Sequence, residues 1–507
     1  MKEMMLRYRR QFLLSRSQIS DLSHWNCLSL LDDYWLYSHP DLEIAVREYR
    51  NRKLVLLGFI FDPIHHEKKN EEILATIMDE SDTFVSFVRA IKNYAGRYVF
   101  LYKDGHSFNL IHDPLAIREV YYSTARNRAV CGSQPNLLNE FSAPRLEETS
   151  SPDIRNFYEQ DMKKVRFGRF WVGDETFYND IKHLLPNHYL DILKNSAKRY
   201  WPNIKLESIE LNEAVERSCS FLQGIMKAAA SRYSLMMAVT AGTDSRTLLA
   251  ASKDVKDKIY FFINKESTLS NKHPDIYIPT AIFKLIGIPF HVHPVKAEVD
   301  KCFKEIFLNN TFMSNDRILP TIYNVYYKHH SKRLNILGVG EIGRMHFGAE
   351  PRRLDGFYLA RSLKYSHSPY AVSQCEKWLE AGLPVARTHG VNVMTLLLWE
   401  QLLGNWGAVG NSESDIAIEE FDPYNSHYLY ETFLSVDKKY GVCGTSYLFE
   451  EMMKRMWPEL LSFPINPPYK ASQYLRLVVK NIKLGKSLKA LIYSFDRIKY
   501  KTRIRLH

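Results

Sequence analysis

Cysteine is scarce: six in 507 residues, at positions 27, 131, 219, 302, 375 and 443, with no CxxC pair among them. That scatter excludes a thiolate zinc site or a disulfide framework as the organising device and points to reduced, mostly buried thiols. No stretch approaches the roughly 18 consecutive apolar residues of a membrane span. Residues Met1 to Ser20 are too broken by Arg and Lys for a signal peptide, so a cytoplasmic location is expected. Acid is in deficit, giving a net charge of +11, but the excess is localised. From Lys480 to His507 nine Lys or Arg face one acid, Asp496, so this tail supplies +8 and the rest is near balance. No nucleic-acid partner is expected for the body. Within the tail Leu488, Leu491, Ile492, Phe495 and Ile498 recur at helical spacing, which describes a basic amphipathic helix. Docking on the body and contact with an anionic surface or acidic partner are both open to it. The remaining composition, 45% hydrophobic and 25% charged, is that of a soluble globular chain long enough for two or three domains.

The first 200 residues read as strands and turns with helical inserts. Leu54 to Phe61 is a nearly continuous apolar run stopped by Asp62-Pro63. Tyr98 to Tyr102 leads through Lys103-Asp104-Gly105, a hairpin signal, into a returning strand at Phe108 to Ile111. Val120 to Tyr122 and Ala129 to Cys131 follow closely, so an antiparallel sheet is expected, with helices over Glu72 to Met78 and Phe84 to Tyr94. After a polar linker near Pro202 to Ser208 the pattern changes. A helix over Leu211 to Ala229 precedes strands at Leu235 to Val239, Ile259 to Ile263 and Phe290 to His293, with a helix over Ile278 to Leu285 between the last two. That alternation predicts a parallel α/β sheet with right-handed crossovers. His291 and His293 fall on one side of their strand and are read as rim histidines. From about Tyr358 onward helices are expected to dominate.

Two strand-to-turn junctions carry chemistry. Leu235 to Val239 ends in Thr240-Ala241-Gly242-Thr243-Asp244-Ser245, followed by the helix-spaced Leu248, Leu249 and Ser252. A tight loop opening a helix aims backbone N–H groups at one spot, and the helix dipole and the Thr240 and Ser245 hydroxyls add to an anion site. No Lys follows the glycine, and Asp244 is acidic, which argues against a Walker-type loop and for a carboxylate that holds Mg²⁺. The second junction, Leu334 to Leu337 followed by Gly338-Val339-Gly340-Glu341-Ile342-Gly343-Arg344, is another buried strand ending in a glycine-rich turn with an acid and a base. In an open parallel sheet ligands sit outside the carboxyl ends of strands, so the two turns are expected to face one crevice.

The first junction resembles the pyrophosphate loop, Ser-Gly-Gly-x-Asp-Ser, of the asparagine synthetase family: Thr240 stands for Ser, Ala241 for the first Gly, and Gly242, Asp244 and Ser245 agree. The second resembles that family's Ser-Gly-Glu-Gly-x-Asp-Glu loop, with Gly340 and Glu341 matching and Arg344 where the family has a metal-binding Asp. In the N-terminal half, Gly96-Arg97-Tyr98 and His112 to Tyr122 are similar to class II glutamine amidotransferase domains, and Leu185 to Leu190 with Arg199-Tyr200-Trp201 to the segment that closes such a domain. Leu396 to Trp406, Phe421 to Ser426 and Trp457 to Pro467 resemble packing segments of the same family.

The resemblance implies residues 1–202 as a degenerate class II glutamine amidotransferase-like α+β sandwich. It implies 209–470 as a doubly wound, parallel-sheet ATP pyrophosphatase domain with a helical C-terminal part, and 471–507 as the basic tail. The fold class is α/β. Glutaminase chemistry uses an N-terminal Cys whose thiolate attacks glutamine. The chain opens Met1-Lys2-Glu3, Cys27 lacks the family's Cys-Gly context, and Leu57-Gly58-Phe59 replaces the glutamine-holding Asn-Gly-Glu, so no glutaminase activity is expected.

The function implied is an ATP-dependent, AMP-forming ligase that adenylates a carboxylate, aspartate or a specialised acid, and transfers it to ammonia or an amine. The implied cofactors are ATP and Mg²⁺. Thr240, Ala241, Gly242, Thr243, Asp244, Ser245 and Gly340 would meet phosphates, with Asp244 on the metal and Phe262 near the adenine. Glu341 would move a proton, Arg344 would neutralise departing pyrophosphate, and Lys454 and Lys470 are candidates for a further cation. A non-catalytic ATP-binding scaffold, motivated by Ala241 and Arg344, and an adenylating tRNA-modification enzyme remain open.

Overall fold

The computed structural model describes residues 3–31, 33–125, 128–143, 145–165, 169–266, 269–344, 350–351, 353–437, 440, 447–469 and 497. Lys470 and the basic tail, apart from Arg497, lie outside the described residues, so the amphipathic pattern there is not addressed below. The fold class is α/β: two antiparallel sheets in the first 200 residues, then one parallel sheet among helices.

The two antiparallel sheets have six strands each, and they stack because their strands carry two apolar faces. In strand Ala95–Lys103, Val99 and Leu101 point into the space between the sheets with Val55, Leu57, Leu110 and Phe12. The alternate residues Tyr98, Phe100 and Tyr102 point outward, onto Ile73, Leu74, Phe87 and Ile91 of helices Asn70–Asp79 and Phe84–Ile91. The run from Leu54 to Phe61 is therefore apolar throughout because neither face meets water. On the opposite side Leu13, Tyr37 and Tyr121 pack against Leu137 and Leu138 of helix Pro135–Phe141, so the layers run helix, sheet, sheet, helix. The turn at Asp104 forms as the sequence predicts: its Oδ1 accepts from the N–H groups of His106 (2.8 Å) and Ser107 (2.7 Å).

The parallel sheet has the order Phe290–Pro294, Ile259–Lys265, Leu235–Ala238, Leu334–Ile336, Glu419–Phe421. The chain starts in the centre, moves to one edge, then returns past the centre to the other. The order reverses between Leu235–Ala238 and Leu334–Ile336, which is where such sheets open a crevice at their carboxyl ends. The C-terminal part is mainly helical, as expected, and adds a fifth strand, Glu419–Phe421, that the sequence did not suggest. Three residues long and carrying two acids, it has no alternation to read. Glu420 is buried against the Asn335 side chain, while guanidinium groups from the antiparallel half neutralise Glu419.

Those groups form the main polar joint between the halves. Arg97, fully buried, donates to both oxygens of Asp415 (2.6 and 2.8 Å) and to Glu419 (3.0 Å). Arg118 donates to the same Glu419, and Arg10 pairs with it at 3.2 Å. Burial alone would push Glu419 up, but Arg118, Arg97 and Arg10 together hold it below the usual glutamate range. A second joint is Asn425, whose side chain donates to Asp113 (2.8 Å) and accepts from the Leu115 N–H (2.9 Å). A third is Glu400, fully buried, which Arg199 and the Trp378 indole hold (2.8 Å from the indole). Between them, helix Leu211–Arg232 lies so close to Pro63 that a Cβ on Gly224 would come 2.0 Å from its carbonyl oxygen.

Candidate functional site

The loop after strand Leu235–Ala238 is held by its own side chains. The Thr240 N–H donates to the Ser245 hydroxyl (3.1 Å), and the Gly242 N–H donates to the Thr240 hydroxyl (3.0 Å). Helix Thr243–Ala251 begins after Gly242, which has no side chain to cap it, so its first-turn N–H groups are left for a ligand. Ala241 departs from expectation: its N–H donates to Asp275 Oδ1 (2.9 Å), which removes it from the donors available to a phosphate. Its carbonyl accepts from the Asn466 N–H (3.0 Å) and from buried Arg246, whose guanidinium also donates to the carbonyls of Phe463 and Pro464 (2.7 and 3.0 Å). Thr243 is buried.

The turn after Leu334–Ile336 lies against this loop, which explains its glycines. A Cβ on Gly338 would sit 3.3 Å from the Ser245 nitrogen, and one on Gly340 would sit 3.0 Å from Asp244 Oδ1. The approach brings three charged side chains together. Arg344 donates from Nε to Asp244 Oδ1 (3.0 Å) and from Nη2 to Asp244 Oδ2 (3.3 Å), and its Nη2 is 3.4 Å from Glu341 Oε1. Burial pushes Asp244 up, against the pull of Arg344. Burial and then the neighbouring Asp244 charge raise Glu341, whose Oε2 is buried without a hydrogen-bond partner. A carboxylate held in that state is a better proton acceptor than a free glutamate.

The structure thus brings Thr240, Gly242, Asp244, Ser245, Gly340, Glu341 and Arg344 to one junction. Phe262 is a correction. Its ring is fully buried with Met236, Phe303 and Tyr326, so it is a packing residue with no surface to offer an adenine. Lys454 is another: it is exposed and lies 3.7 Å from Glu451, on its own helix. Phe421 to Ser426, expected to be packing rather than catalytic, packs against the junction: Tyr424 is fully buried and its hydroxyl donates to the Asp244 carbonyl (3.0 Å). Asp422 beside it is buried and raised well above the usual aspartate range by burial, with the Glu341 and Asp244 charges adding to it. Two acidic or phenolic groups flanking a proline in a strand-ending segment were the available signal.

A metal on Asp244 does not fit this arrangement, because both of its carboxylate oxygens are engaged by Arg344. Among the described residues no group of three or more His, Cys, Asp or Glu side chains stands ready to hold a metal ion. His291 and His293 are on the sheet edge, the first stacked on Tyr260 at 4.2 Å and the second bonded to its hydroxyl at 3.0 Å.

No family model matches the sequence, and no curated protein matches it. Among solved structures the chain is similar to the glutamine phosphoribosylpyrophosphate amidotransferase of B. subtilis complexed with ADP and GMP, at 11% identity and a TM-score of 0.24. That match covers 60% of this chain and 65% of that one. A structure described as the allosteric regulatory enzyme of purine biosynthesis gives the same identity and TM-score over 58% of this chain and 76% of that one. The chain thus spans somewhat less than two thirds of the first of these proteins. Among the described residues no helix is long and apolar enough to cross a membrane.

A cavity beside this junction supplies a pH test. Burial pushes Glu413 up to about 8 and Glu420 up to about 7, against hydrogen bonds that lower both. Folded values above unfolded ones mean that the native state binds extra protons. The contribution of these groups is fully present below about pH 4.5, the ordinary glutamate value, and is lost as pH rises through 7 to 8. The thermal midpoint of the wild type is expected to fall between pH 6 and 9 relative to that of Glu413→Gln, followed by circular dichroism. Parallel curves would contradict the burial argument.

Proposed function

We propose that the chain is an ATP-dependent ligase that forms a carbon–nitrogen bond by way of an acyl-adenylate. The observation that supports this most is the single guanidinium of Arg344 spanning Asp244 and Glu341 where two turns meet at the point of strand-order reversal. In this reading the open first turn of helix Thr243–Ala251, with the Thr240 and Ser245 hydroxyls, binds the β- and γ-phosphates of ATP. A substrate carboxylate oxygen attacks the α-phosphorus, and the bond to the pyrophosphate oxygen breaks. Arg344 meets the charge that grows on that leaving group. An amine nitrogen then attacks the acyl carbon, AMP departs with the carbon–oxygen bonding electrons, and Glu341 takes the proton from nitrogen.

Exchange of labelled pyrophosphate into ATP, assayed with pooled carboxylic acids, tests the first half-reaction. One acid that stimulates exchange names the substrate; ATP binding with no exchange for any acid would instead establish a scaffold. Two features favour that second reading: the Ala241 N–H already bonded to Asp275, and Arg344 in the place of a metal. Glutamine is not expected to be a nitrogen source. Leu57 and Phe59 stand on either side of Gly58 where the family it resembles has the Asn and Glu of its glutamine clamp, and both are fully buried apolar side chains with no amide-holding group to offer. Incubation with glutamine should release no glutamate in a dehydrogenase-coupled assay, and steady release would refute this.

A further inference from the structure

The carboxyl end of the parallel sheet opens on a cavity of 530 Å³ that is separate from the phosphate-loop residues. Leu337 and Val339 line it, and Glu341, two residues beyond Val339, belongs to the Arg344 cluster, so one turn serves both. Its polar lining is unbalanced. Glu413 and Glu420 are 4% and 5% exposed, and among the described residues neither has an ion-pair partner. Glu413 accepts from the Asn315 N–H and Glu420 from the Asn335 side chain (2.9 Å). Asn264 and Asn411, also in the lining, have buried side-chain carbonyl oxygens that accept nothing. Four acceptors in one buried wall call for a ligand rich in donors.

The rest of the lining narrows that ligand. Arg169 and Arg317 are exposed members of it, and among the described residues no carboxylate pairs with either. Glu266 also lines the cavity, as do the apolar Met313, Ile318 and Val409. A ligand carrying a cation for Glu413 and Glu420, an aliphatic body and an anion for the arginines would suit the three kinds of lining. Ammonia would leave most of the volume unfilled.

We propose that this cavity holds the amine substrate, an organic primary amine with a carboxylate or similar anion at its far end. The assignment of the ligand as a reactant rests on the ligase reading; its binding does not. Burial raises Glu413 to about 8 and Glu420 to about 7, so in the ionised form each is a stronger base than an ordinary glutamate, and an ammonium seated beside an ionised one can pass it a proton and become a neutral amine with its lone pair free.

The test uses the full chain and 6-aminohexanoate as probe, with hexanoate and ammonium chloride as controls, in titration calorimetry with and without ATP. The amino acid is expected to bind at least tenfold more tightly than hexanoate. The double variant Glu413→Gln, Glu420→Gln should weaken it at least tenfold while leaving ATP affinity within twofold. Thermal denaturation checks that this variant folds, and Val409→Trp, which blocks the cavity without removing charge, should also abolish binding. Equal binding of hexanoate, no binding of the amino acid, unchanged binding by both variants, or displacement of the probe by ATP would each overturn the proposal. Pyrophosphate exchange separates the two readings: exchange without amine binding retains the ligase and ends this inference, and amine binding without exchange does the reverse.

Discussion

Replacing Arg97 with methionine is expected to lower the unfolding free energy by about 3–5 kcal/mol, the usual cost of removing one partner from a buried ion pair. Methionine fills much of the same volume, so the loss would come from charge rather than from a hole. Asp415 loses both guanidinium bonds, and Glu419 keeps only Arg118 and Arg10. A carboxylate left this way is desolvated without compensation. The double variant Arg97→Met, Asp415→Leu should recover a large part of the loss, because no lone charge then stays buried. The readout is the urea midpoint followed separately by tryptophan fluorescence and circular dichroism, since a chain of two joined halves need not unfold in one step. Because the network spans both halves, Arg97→Met should also split the transition. A loss below about 1 kcal/mol, in the range of exposed pairs, would mean that water reaches the joint.

The second large effect separates the two half-reactions. Glu341→Gln removes the proton acceptor but keeps shape and hydrogen-bonding capacity, so pyrophosphate exchange should stay within about threefold while amide formation falls about 10²–10⁴-fold, the usual scale of general-base catalysis. Arg344→Met should act earlier, reducing exchange itself by about 10²–10³-fold through lost stabilisation of the leaving group. It also leaves Asp244 and Glu341 as unneutralised neighbours, so Arg344→Lys is the control: it keeps the charge and loses the two-pronged geometry that reaches both oxygens of Asp244. Restored exchange in the Lys variant would reduce the arginine's role to net charge. If Glu341→Gln and Arg344→Met depress exchange equally, Glu341 holds the turn in place and moves no proton.

Much of the fold was legible because its signals are local. The run from Leu54 to Phe61, the Asp104 turn and the alternation of strands with helices after residue 211 are written in periodicity and turn chemistry, and the structure forms them within a few residues of the expected limits. The strand Glu419–Phe421 was not legible, since what makes it a strand is pairing with Leu334–Ile336, and what lets Glu419 sit there is Arg10, Arg97 and Arg118, three hundred or more residues earlier in the chain. Phe262 was misread for a related reason. An aromatic ring at a strand end reads the same whether it faces a ligand or a helix, and only the packing of Phe303 and Tyr326 over Phe262 decides.

By itself the sequence determined where two glycine-bearing turns carrying Asp244, Ser245, Glu341 and Arg344 end their strands, and the α/β class of the fold that presents them. Whether those turns touch, which carboxylate Arg344 engages, and where buried acids such as Glu413 find themselves without a cation were decided only by the tertiary structure. Backbone preference acts over a few neighbouring residues, while charge pairing and desolvation depend on distance in space, and folding is what sets that distance.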